Sequence, residues 1–177
     1  MRLYITLVLS TLLYISGQAQ YMAEARTAPS DKDAYERGEQ AYRRGDHALA
    51  VALFTEAIAV DPDNMNAYLN RAFCHVLLKQ YTEAIKDLTV VIEREPKHAL
   101  AYTTRGSSYL RSGEPDKALA DLEMVISLDP RNEEAWNNKG WAYKARSDMD
   151  SACKAWRTSQ RMGNAEAKII LNNNRCK

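Results

Sequence analysis

From Asp31 onward, large apolar side chains and small ones return at fixed intervals. Phe54, Leu88, Leu122 and Trp156 stand 34 residues apart, and Tyr68, Tyr102 and Trp136 form a second series with the same step. The small residues keep time with them. Gly38, Ala72, Gly106 and Gly140 make one series, and Ala50, Ala84, Ala118 and Ala152 another. Pro62, Pro96 and Pro130 repeat likewise, in the phrases VDPDN, REPKH and LDPRN. A period of this size is the mark of stacked supersecondary units. With each proline at position 32, the units run 31–64, 65–98, 99–132 and 133–164.

Each unit is predicted to be two antiparallel helices. Gly45 and Gly113, at position 15, end the first helix in a left-handed cap that glycine adopts without a Cβ penalty. Proline at 32 stops the second. Small residues at 8 and 20 let the helices approach where a larger side chain would overpack the contact, and the bulky residues at 4 and 24 fill the remaining space. A single unit cannot bury its apolar face, so the units must stack. Ala34 and Ala41 occupy places where other units carry bulky groups, as expected of an end unit with less to pack against.

The two ends of the chain differ from this pattern. Residues 1–19 read as a secretory leader, with Arg2, the apolar run Leu3–Ser16 and small residues before a cleavage point after Ala19. The run of about 14 residues is short of the roughly 20 that a membrane-spanning helix needs, so a retained anchor is the weaker alternative to cleavage, and no span is expected once the leader is removed. Residues 20–30 lack a helical apolar stripe and read as a linker. At the other end, Gly163 and Asn164 predict a turn and an N-cap for a capping helix over 165–177, with Ala165, Ile169 and Leu171 covering the open face of the last unit.

Composition narrows the function. Removal of Arg2 with the leader leaves 23 basic against 23 acidic residues, with both signs interspersed, which argues against a nucleic-acid partner. His47, His75 and His98 fall at unrelated unit positions, and His75 reads as a packing residue where Tyr109 and Tyr143 stand in later units. Carboxylates sit at spacings typical of solvated helix faces. No phosphate-binding glycine loop, nucleophile with its base, or metal-ligand cluster is present. The chain is therefore expected not to be an enzyme and to need no cofactor or metal.

The period, together with stretches such as YTEAIKDLTVVIEREP and PDKALADLEMVISLDP, resembles the tetratricopeptide repeat family over roughly residues 31–164. The resemblance implies an all-α fold: a right-handed superhelical solenoid of four helix pairs plus the C-terminal cap. It also implies a concave groove lined by first helices, at Tyr35, Glu39, Tyr42, Asn66, Leu69, Asn70, Phe73, Thr103, Thr104, Ser107, Asn137, Asn138 and Trp141. Leu69, Phe73, Leu77 and Trp141 give this groove an apolar centre, flanked by amide and hydroxyl groups suited to a peptide backbone. Some members of the family hold a chaperone's C-terminal carboxylate at positions that here read Tyr35, Glu39, Asn70, Leu100 and Thr104, of which only Asn70 matches.

Cys153 precedes the Gly163 turn by about ten residues and Cys176 follows it by about thirteen, so two helices of similar rise bring them together. In an exported chain this predicts a Cys153–Cys176 bridge, with free thiols as the alternative. Closing segments with a similar Cys pair occur in exported bacterial members of the family. Cys74, among Phe73, Val76 and Leu77, reads as a small buried hydrophobe. The expected function is an exported adaptor that binds a peptide or helix of a protein partner. The alternative is a structural subunit of an envelope assembly, or a homo-oligomer, built through the convex face or the ends of the array.

Overall fold

The structure, a computed structural model, describes residues 31–174 and residue 176; the expected leader at 1–19 and linker at 20–30 lie outside the described residues. The described chain is helical, with no strand among the described residues. In chain order the helices are α1 (Asp31–Arg43), α2 (His47–Val60), α3 (Met65–Leu77), α4 (Tyr81–Arg94), α5 (Ala99–Arg111), α6 (Pro115–Leu128), α7 (Glu133–Ala145), α8 (Met149–Arg161) and α9 (Ala165–Asn173). Odd and even helices pair within a unit, each even helix also packs on the next odd one, and α9 packs on α8. First helices touch first helices, α1 on α3, α3 on α5 and α5 on α7, so they form one continuous wall of an α-solenoid.

Local hydrogen bonds set where each helix starts and stops. The side chains of Asp46, Asn64, Asn132, Asp148 and Asn164 each accept a backbone N–H of the first turn that follows, a contribution of about 1 kcal/mol each. His98 does the same through Nδ1, which accepts from the Ala101 N–H at 3.1 Å. The turns inside the units are uniform. Position 15 has a left-handed φ in all four, at Gly45 (80°), Lys79 (60°), Gly113 (81°) and Ser147 (63°). One residue later the backbone N–H of Asp46, Gln80, Glu114 and Asp148 bonds the carbonyl five residues back, at 2.8–3.0 Å. Two units thus make the glycine turn without glycine, at a strain of roughly 1–2 kcal/mol each.

Packing follows the predicted series and refines it. Phe54, Leu88, Leu122 and Trp156 are all fully buried, as are Ala50, Ala84, Ala118 and Ala152. The small residue at position 8 chiefly makes room for the bulky one at 24. A Cβ added to Gly38 would stand 2.7 Å from the Phe54 ring, and one on Gly140 would collide with the Trp156 indole. At Gly106 the same atom would meet Leu122 and Asp121 at 3.4 Å, a tight contact rather than a collision, and unit two has Ala72 there against Leu88. Ala34 and Ala41 correct the expectation of loose packing at the first unit. Both are fully buried, Ala41 in one cluster with Phe54 and Cys74, and Ala34 in another with Ala57 and Ala67.

A polar device joins neighbouring units. Arg71 forks onto Asp87 of its own unit at 2.8 and 2.7 Å and donates through Nη1 to Thr55 of the preceding unit at 2.9 Å. Arg105 repeats this onto Asp121 at 2.9 and 2.8 Å and onto Thr89 at 3.0 Å. Asp87 and Asp121 are buried, exceptions to the reading of the carboxylates as mostly solvated. Hydrogen bonding to these carboxylates holds both guanidiniums above their ordinary pKa, outweighing the desolvation that opposes it. At the last joint Lys139 reaches Glu123 at 3.0 Å instead, and Ala155 stands where the buried aspartate would be.

The cap closes the array with a face different from the one expected. Ala167, Ile170 and Leu171 are buried, whereas Ala165 and Ile169 are exposed, Ile169 at 61%. Residues two apart on a helix point about 200° apart. Once α9 starts at Ala165, a face through 167, 170 and 171 therefore turns 165 and 169 outward. Ile170 and Leu171 cluster with Ala152 and Trp156, and Cys176 lies against the same cluster. Cys176 is bonded to Cys153, with Cα atoms 5.5 Å apart. Cys74 is a free, fully buried thiol, and desolvation by its apolar surroundings pushes its pKa up to about 11. His75 is only half-buried and pairs through Nδ1 with Gln80 Oε1 at 2.7 Å, so it serves the turn rather than the core.

Candidate binding groove

The wall of first helices α1, α3, α5 and α7 carries most of the residues expected to line a groove, but it divides them into groups. At the N-terminal end Asn70 Nδ2 donates to the Tyr35 hydroxyl at 2.9 Å, and Tyr35 in turn reaches Glu39 Oε1 at 3.5 Å. Burial and then the Glu39 carboxylate raise the Tyr35 pKa, so the phenol keeps its proton. Tyr42 stands apart, exposed, with its ring beside His47 at 5.6 Å. Asn66 is exposed, and Leu69 packs against the main core.

In the middle the hydroxyls are already committed. Thr103 is buried and donates to Ala99 O at 3.0 Å, and Thr104 donates to Leu100 O at 2.8 Å. Both bonds lie within α5, so Thr103 has no place on an open surface. A threonine hydroxyl bonds its own helix four residues back by default, and sequence position alone does not show which hydroxyls remain available. Phe73 is half-buried and does not line the clefts described next.

The C-terminal half of the wall opens into a cleft of about 460 Å³ lined by Ser107, Leu110 and Arg111 of α5, Asn137, Asn138, Trp141 and Ala145 of α7, and Glu166 of α9. Four expected residues, Ser107, Asn137, Asn138 and Trp141, therefore come together. Trp141 stands edge-on to the buried Trp156 at 5.3 Å, and the Lys144 ammonium lies 5.1 Å from its ring centre while donating to Asn174 Oδ1 at 2.7 Å. Asn137 is buried. Its backbone carbonyl accepts the Trp156 indole N–H at 3.1 Å, its Nδ2 donates to Glu166 Oε2 at 3.1 Å, and its Oδ1 accepts nothing.

A second cleft of about 300 Å³ adjoins the first and shares Ser107 and Arg111 with it; Val76, Leu77, Lys79, Tyr81 and Ser108 complete it. Glu166, Lys79 and Tyr81 are the lining residues that do not come from a first helix. Lys79 lies in the turn, Tyr81 opens α4 and Glu166 lies in the cap. The sequence signal for Glu166 is its place in the first turn after the Asn164 cap.

Two family models of the tetratricopeptide repeat match the chain, one over residues 41–106 and the other over 103–164. Human mitochondrial import receptor subunit TOM34 is 36% identical over 58 residues, covering 33% of this chain and 19% of that protein. The chain spans about a fifth of the length of the curated relatives it matches first. Among solved structures, YrrB, a tetratricopeptide protein with an unusual peptide-binding site, superposes with a TM-score of 0.78 at 17% identity, covering 94% of this chain and 87% of its own. MamA 41-end from Desulfovibrio magneticus RS-1 gives a TM-score of 0.73 at 21% identity, covering 76% of each chain. At these identities the structural likeness concerns the fold. The matched models together with the helix pairs of the structure show that the chain belongs to the tetratricopeptide repeat family.

Proposed function

We propose that this chain is an exported, non-catalytic interaction module that binds a peptide or helix of a partner protein along its concave face. The observation that carries the reading is the open cleft at Ser107, Asn138 and Trp141, where an aromatic anchor stands beside amide and hydroxyl groups. The peptide-binding site of YrrB and the import-receptor role of TOM34 support the same direction. In the test, Trp141→Ala and Phe73→Asp variants, shown to be folded by their helical circular dichroism, are compared with the unaltered protein for recovery of crosslinked partners from the cell envelope. The expected result is loss of recovery with Trp141→Ala; unchanged recovery with both variants removes the groove from the account.

A second reading is assembly through an end of the array. Helix α2 (HALAVALFTEAIAV) carries one carboxylate and exposes Leu49 at 43% and Val60 at 54% on the first unit. A stable oligomer in solution that Leu49→Lys dissociates supports it, and a monomer at high concentration excludes it.

A further inference from the structure

Helix α9 is the least self-sufficient element of the array. It has nine residues and ends in Asn172 and Asn173, poor helix formers, so alone in water it is too short to persist. It rests mainly on α8, through Ala167, Ile170 and Leu171, whereas α8 itself is flanked by α7 and α9. The Gly163 turn fixes its start, and the Cys153–Cys176 bond fixes the chain just beyond its end. Both bonded cysteines are only half-buried, within reach of an incoming thiolate, whereas the free Cys74 is fully enclosed. Two side chains carry the position of α9 into the cleft. Glu166 Oε2 accepts from the Asn137 amide at 3.1 Å, and Asn174 Oδ1 accepts from the Lys144 ammonium that lies over Trp141. Under the cap, Ile170 and Leu171 cluster with Trp156, which stands edge-on to Trp141. Glu166, Asn137 and Trp141 all line the cleft, so one helix pinned by one covalent bond shapes its C-terminal end.

We infer that Cys153–Cys176 is a thiol–disulfide exchange site through which a dithiol reductant opens the C-terminal end of the cleft. A thiolate of the dithiol attacks one sulfur of the bond, and the other sulfur leaves as a thiolate and takes up a proton. The second thiol of the reductant then displaces the mixed disulfide. The dithiol thus gives up two electrons and two protons and becomes a disulfide, and Cys153 and Cys176 receive them as two thiols. With its far end released, α9 undocks. Asn137 and Lys144 lose Glu166 and Asn174 as partners, and the Trp156 indole loses its cover. The oxidised chain has a cleft walled by the cap, and the reduced chain has one that runs out to the end of the array. The inference goes beyond the peptide-binding reading and does not depend on what the cleft holds.

The test compares the full chain in three forms: oxidised, reduced by dithiothreitol without denaturant, and as the double variant Cys153→Ser, Cys176→Ser. In the second and third forms amide-exchange protection over 165–174 should fall on the order of a hundredfold, the effect expected of a bridge of this span, while α1 to α4 keep theirs. Tryptophan emission should move to longer wavelength and become more open to acrylamide quenching as Trp156 meets water. Glu166→Ala in the oxidised chain separates the cleft from the bond. It should displace the Asn137 side-chain amide resonance while α9 stays protected, and the reduced chain should show that same displacement; Glu166→Gln, which keeps an acceptor, should not. A bond that survives excess dithiothreitol in the folded chain overturns the inference. So does unchanged protection of α9 on reduction, protection lost evenly along the array, or an Asn137 amide signal that ignores the redox state.

Discussion

The joints on either side of unit two and the joint before unit four solve the same problem by different means. At the former, a guanidinium is buried against an aspartate and reaches across to a threonine of the unit before it. At the latter, an ammonium meets Glu123, whose side chain is 59% exposed, and unit four has no buried aspartate. Unit four is instead secured from its far side, by Trp156 under the cap and by the Cys153–Cys176 bond. Interior units are thus held by a largely desolvated charge network. The terminal unit is held by apolar burial and a covalent link that a reductant can open.

The largest expected effect tests the network. Arg105→Ala leaves Asp121 buried and unpaired and should cost about 3–5 kcal/mol in urea unfolding, whereas Lys139→Ala should cost only about 1 kcal/mol because its partner is mostly in water. Equal losses would erase the distinction between the joints. Reduction of Cys153–Cys176, which closes a separation of 23 residues, should cost about 3 kcal/mol, with amide-exchange protection lost first in α9. Protection lost uniformly along the array would mean that the end is no more separable than the middle. Ala84→Leu in the interior should cost about 1–3 kcal/mol by overpacking against helix α3; a thermal melt equal to that of the unaltered protein would contradict the packing register. The smallest effect has the opposite sign. Ser147→Gly should raise stability by about 0.5–1 kcal/mol, because relief of left-handed strain exceeds the added unfolded-state entropy.

What the sequence made legible was whatever repeats. The series at positions 8, 20 and 24 gave the helix pairs and the buried residues, because four copies of each side chain average out local accident. The buried arginines and aspartates also repeat, at 71 and 105 and at 87 and 121, but a charged residue at helical spacing carries no mark of burial. Its desolvation shows only once Thr55 and Thr89 of the neighbouring unit are in place. The cap occurs once, and its buried face was assigned to Ala165 and Ile169 because its phase depends on where a single helix starts. The candidate site suffered similarly. Ser107, Asn137, Asn138 and Trp141 were found from the repeat, Thr103 was misjudged because its hydroxyl satisfies its own helix, and Glu166 was missed because it comes from the cap.

The clamp between units also sets where such an array can lengthen. A unit can accept a new neighbour when it offers a threonine at position 25 and the newcomer brings an arginine at 7 and an aspartate at 23. Units one and two offer that threonine, as Thr55 and Thr89, and units two and three bring the matching pair. Unit three offers Glu123. Tandem duplication of residues 65–98 would therefore reproduce a complete joint at its new boundary, and duplication of residues 99–132 would not. The growth point of this molecule lies in its middle, ahead of the cleft, so an added unit would extend the wall of first helices without disturbing the end that closes it.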